Sequence, residues 1–97
     1  MSRALLERRL SKVASRLKKL REELGVADEQ LAHFADEADD ARLRSLVSET
    51  PLADREHRAA QRHADAMIRH RSRVVDEIAE LEQRQDDLLD QLLQESE

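Results

Sequence analysis

The chain has 97 residues, with one glycine, one proline, no cysteine and one aromatic side chain, Phe34; 40% of its residues are charged and its formal net charge is −5. A single glycine cannot build a phosphate-cradling loop or a series of tight hairpins, which excludes nucleotide-fold enzymes and most β architectures. The lack of cysteine excludes a disulfide framework, a thiolate metal site and a cysteine nucleophile, and a composition rich in Ala, Leu, Glu, Arg, Asp and Gln fits long helix, coiled coil or disorder.

The N-terminal run Met1-Ser2-Arg3-Ala4-Leu5-Leu6-Glu7-Arg8-Arg9 is charged every few residues and holds no apolar stretch of signal-peptide length. Nothing later approaches the ~20 apolar residues of a membrane span, so a cytoplasmic location is expected. From Leu6 the chain steps alternately by four and three through Leu10, Val13, Leu17, Leu20, Leu24, Ala27, Leu31, Phe34, Ala38, Ala41 and Ser45. That is a heptad seam, and it predicts one helix over 3–47. Gly25 lies inside the ladder and does not reset its phase. It is expected to soften or kink the helix, at about 1 kcal/mol relative to alanine, without ending it.

A turn is predicted over 48–51, at Ser48-Glu49-Thr50-Pro51. Thr50 is suited to cap a second helix and Pro51 to open it, because proline lacks only an N–H that the first helical position does not use. The second ladder runs through Ala53, His57, Ala60, Ala64, Met67, Arg71, Val74, Ile78, Leu81, Gln85, Leu88 and Leu92, which predicts a helix over 51–95. Its polar members His57, Arg71 and Gln85 are expected to fix register. Folding the chain at Glu49 sets each seam residue against one from the other ladder, Leu6 opposite Leu92 and Leu17 opposite Leu81.

Charge supports the same fold. Residues 1–21 carry eight basic and one acidic side chain, and residues 22–41 carry eight acids and no base. Residues 42–73 hold eight arginines against four acids, and residues 74–97 one base against nine acids. An antiparallel fold lays each block along one of opposite sign, whereas a parallel dimer of straight chains stacks like on like. The predicted architecture is therefore all-α: one domain over 1–97, a long antiparallel two-helix coiled-coil hairpin. Apolar residues outside the seam, Ile68, Val75 and Leu89, predict a face through which two copies form a homodimeric bundle.

No enzyme is expected. Ser, His and Asp occur without an elbow or an oxyanion loop. His33, His57, His63 and His70 lack the i, i+3 or i+4 pairing of helical metal sites, so neither metal nor cofactor is expected. Asp36-Glu37-Ala38-Asp39-Asp40 lacks calcium-loop spacing and reads as a solvated helix face. The basic N-terminal face of Arg8, Arg9, Lys12, Arg16, Lys18, Lys19 and Arg21 comes without stacking aromatics and faces an acidic block, which argues against nucleic acid and membrane as partners. Around the turn, Leu43, Leu46, Val47 and Leu52 are apolar outside the seam, accompanied by Glu49, Asp54 and Glu56. These seven residues are the candidate partner-binding site.

The stretch Leu46-Val47-Ser48-Glu49-Thr50-Pro51-Leu52-Ala53-Asp54-Arg55-Glu56-His57-Arg58, within arginine- and alanine-rich helices, resembles small uncharacterised helical coiled-coil proteins of high-GC Gram-positive bacteria, a likeness that implies no activity. The hairpin with acidic residues at its turn also resembles the coiled-coil fingers of secondary-channel regulators of RNA polymerase, but lacks their anchoring domain. Anti-sigma hairpins that sense cyclic di-GMP carry Glu-x3-Ser-x2-Arg-x3-Gln-x3-Asp; Glu7 and Ser11 match, while Ala14, Lys18 and Glu22 depart from it. The expected function is a non-enzymatic protein-interaction adaptor or scaffold that presents the hairpin tip. The alternative is a transcription regulator that binds RNA polymerase or a sigma factor.

Overall fold

The computed structural model describes residues 1–95. The chain is all-α: α1 spans Arg3–Ser48 and α2 spans Pro51–Glu95, antiparallel helices joined through Glu49 and Thr50. Each helix begins on a side-chain cap. Ser2 Oγ accepts the Leu5 N–H at 3.2 Å, and Thr50 Oγ1 accepts the Ala53 N–H at 3.1 Å, each satisfying one of the donors a helix start leaves without partners.

Every position of both heptad ladders is buried or half-buried, whereas nearly all flanking positions are exposed. The four-three spacing places those side chains along one stripe of each helix, and burying that stripe is what holds helices of this length together. Gly25 is helical, exposed and without positive φ, and a β-carbon built on it would meet nothing within 4 Å. It is thus a tolerated helix residue, and nothing in its surroundings requires a glycine.

The structure divides into two compact units. The terminal unit comprises Met1–Leu24 and, among the described residues, 74–95. Its core is Leu6, Val13, Leu17 and Leu88, with Leu10, Ile78, Leu81 and Leu92 packed against them; Leu6 and Leu17 are almost fully enclosed. An ion pair spans its helices, from Arg16 to Glu77 Oε1 at 2.9 Å, linking the basic first block to the acidic last one, and the Met1 α-amino group lies 4.0 Å from Glu95 Oε1.

The tip unit is Gly25–Arg73. Its buried residues are alanines (Ala27, Ala38, Ala41, Ala53 and Ala64), while Leu31, Phe34 and Met67 are half-buried. Here the polar seam residue Arg71 turns its guanidinium out to Asp28, keeping the stem in the seam and the charge at its edge. This pair links the acidic second block to the arginine-rich third. Among the described residues no polar or charged side chain is buried. Nor is any helix long and apolar enough to cross a membrane.

Candidate functional site

The turn is built from a few short-range contacts. At Glu49 the backbone enters the left-handed region, with φ 48°, and its N–H donates to the Ser45 carbonyl at 3.1 Å. This is the reversal that usually ends an α-helix, here made without the glycine that would adopt it at no steric cost. Thr50 then caps α2, its carbonyl accepting the Asp54 N–H at 3.1 Å. Across the turn, Ser45 Oγ–H donates to Asp54 Oδ1 at 2.5 Å. The last seam residue of α1 is thereby tied to the first turn of α2. Asp54 accordingly serves the turn itself, a structural use that spacing alone did not reveal.

The other expected tip residues are open to solvent. Leu43 is 61% exposed, Leu46 64%, Val47 84% and Leu52 58%, and Glu49 and Glu56 are exposed with them. Four apolar side chains within ten residues lie uncovered, even though the seam in the same unit takes up only alanines at its buried positions. Beside them lies a charged groove of about 410 Å³, floored by Ala41 and Ala60 and lined by Glu37, Asp40, Arg44 and Glu56. The hollow lies over two small seam residues, between charged side chains of both helices. Of its lining only Glu56 is among the partner-binding candidates; Glu37 and Asp40 belong to the run read as a solvated helix face, and Ala41 and Ala60 to the seam.

Further from the turn, the ring of Phe34 meets His63 edge-on at 5.8 Å and His33 at 5.5 Å, and with His63, Ala66 and Met67 it lines an open, mainly apolar groove of about 380 Å³. His33 Nε2 lies 3.2 Å from Glu37 Oε1, one helical turn on. No group of three or more His, Asp or Glu side chains among the described residues is placed to hold a metal ion.

The flank expected to mediate self-association is exposed in both units: Ile68 (49%) in the tip unit, and Val75 (36%) and Leu89 (44%) in the terminal unit. The terminal unit also contains a groove that no sequence motif marks. It is about 220 Å³, with Val13 and Leu81 at its base and Arg9, Lys12, Arg16 and Arg84 around it. No protein-family model, curated protein or solved structure matches the chain.

Proposed function

We propose that this chain is a non-enzymatic, cytoplasmic adaptor or scaffold whose turn is gripped by a protein partner. The observation that carries the reading is the exposure of Leu43, Leu46, Val47 and Leu52 on a turn whose backbone is held by its own caps and side-chain contacts. A pre-formed apolar patch loses little conformational entropy when a partner covers it, and such patches supply most of the affinity of an interface. Glu49 and Glu56 beside it would orient the partner by charge.

The test is affinity capture from cell extract with the full chain and with Leu46→Asp and Val47→Asp. Both side chains are exposed, so the variants should keep their helical circular dichroism. A genuine partner should be retained by the parent chain and lose roughly 30-fold or more in affinity for the variants, as expected at a hot spot. Equal capture by all three would sink the tip as the docking site.

A second reading, a transcription regulator, draws on the exposed carboxylates of Glu49 and Glu56. It requires RNA polymerase or sigma-factor subunits among the captured proteins, and weaker capture by the chain carrying Glu49→Gln and Glu56→Gln. Self-association through Ile68, Val75 and Leu89 belongs to the same proposal. Sedimentation should show a dimer that Val75→Glu and Leu89→Glu convert to monomer.

A further inference from the structure

Charge in the terminal unit follows a simple rule, in which the basic start of α1 is answered by the acidic end of α2. Arg84 breaks that rule. It is the only base in residues 74–97, and it stands with Arg9, Lys12 and Arg16 around one groove. Arg9, Lys12 and Arg16 are already spaced at three and four residues on α1, a spacing at which like charges oppose helix formation mildly. An acidic residue at position 84 would relieve them, as Glu77 does for Arg16. Among the described residues no ion pair joins a carboxylate to Arg9, Lys12 or Arg84, although Glu80 and Asp87 stand one helical turn from Arg84, so three of the four cations around the groove are left without a direct partner on a chain whose net charge is −5.

Local rules that fold a protein are commonly broken where something else must be bound. We propose that this groove is a binding site for a phosphate monoester carried on a short apolar chain. Arginine guanidinium groups match phosphate oxygens with paired N–H donors, and three of the four cations here are arginines. The base of the groove, Val13 and Leu81, is apolar and suits the first carbons of the chain, which inorganic phosphate lacks. At about 220 Å³ the groove is smaller than the ~300–1,000 Å³ of sites that enclose a drug-sized molecule, so it takes a head group and its first carbons. The absence of aromatic side chains from the lining speaks against a stacked nucleobase. The chemistry is shared by a free alkyl phosphate and by the head group of an acidic phospholipid.

Calorimetric titration of the full chain at low ionic strength, with hexyl phosphate and with inorganic phosphate, tests the site; vesicles containing phosphatidic acid identify the source. Hexyl phosphate should bind at least about tenfold more tightly than inorganic phosphate, the gain expected from burying about two methylene groups. Arg84→Gln should weaken that binding by about tenfold or more, the loss typical of a charge-assisted hydrogen bond. Lys18→Gln, which removes the same charge from an exposed position outside the groove, should weaken it by less than about twofold. Binding of soluble hexyl phosphate assigns the groove to a free ligand, and Arg84-dependent binding to vesicles alone assigns it to a lipid head group. The proposal is overturned if neither hexyl phosphate nor the vesicles bind, if inorganic phosphate binds as tightly as hexyl phosphate, or if Arg84→Gln and Lys18→Gln weaken binding equally.

Discussion

The terminal and tip units share one heptad pattern but differ in what fills it. In the terminal unit the seam buries Leu6, Val13, Leu17, Leu20, Val74 and Leu88; in the tip unit the buried seam residues are all alanine. Burying a leucine contributes roughly 1.5–3 kcal/mol, and each methylene that an alanine lacks forgoes about 0.8 kcal/mol. Equal lengths of paired helix therefore carry unequal stability, with most of it in the terminal unit. The difference is compatible with the docking role proposed for the turn: the larger core lies in the terminal unit, and the exposed leucines around the turn lie in the unit with the smaller one. Amide exchange should show the gradient directly, with slower exchange in the terminal unit than in the tip unit.

The strongest way to break this contrast is to make the terminal unit resemble the tip. Leu17 is 1% exposed, and Leu17→Ala should cost about 3 kcal/mol in a denaturant titration, collapsing most of the difference in exchange protection between the units. The converse change, Ala38→Leu, puts a large side chain where the seam has space for a methyl group. It should destabilise by about 2 kcal/mol through overpacking. A stabilising Ala38→Leu would show instead that the tip unit is underfilled, and the contrast would then be one of missing volume rather than close approach.

Two smaller changes sharpen the comparison. Gly25 heads the tip unit with open space where a β-carbon would stand, so Gly25→Ala should add about 1 kcal/mol and raise the thermal midpoint by roughly 4–8 °C. At the turn, Glu49→Gly relieves a left-handed backbone of its steric cost but adds freedom to the unfolded chain. The net gain should be about 0.5 kcal/mol, read as slower amide exchange near the turn.

The fold class was legible because its signal is collective. No single residue of the Leu6-to-Ser45 ladder is decisive, but every one of them is buried or half-buried, and the alternating charge blocks reappear as the Arg16–Glu77 and Arg71–Asp28 pairs. The openness of the tip was equally readable, since Leu43, Leu46, Val47 and Leu52 fall off the seam. Periodicity says which side of a helix a residue occupies, but not which rotamer it takes or what it reaches. For that reason the bond between Ser45 and Asp54, the contact of Phe34 with His63 and the convergence of Arg84 on the α1 cations are features of the folded chain that periodicity does not carry. Arg84 was visible in the sequence as a lone base among acids; its meaning depended on the apolar hollow beside it. The left-handed Glu49 was hidden for another reason, because glutamate has no preference for that conformation.

The unbroken four-three phase also shapes how such a chain can change over time. A single inserted residue within either helix would swing every later side chain by about 100° and carry the apolar stripe out of the interface. A point substitution disturbs one layer only. Seven residues added to both helices at facing positions would restore the phase and lengthen the pair by about 10 Å. Length in this architecture is therefore varied with least disturbance in steps of about that size, made in both helices together, because insertions of three or four residues locally overwind or unwind the pair.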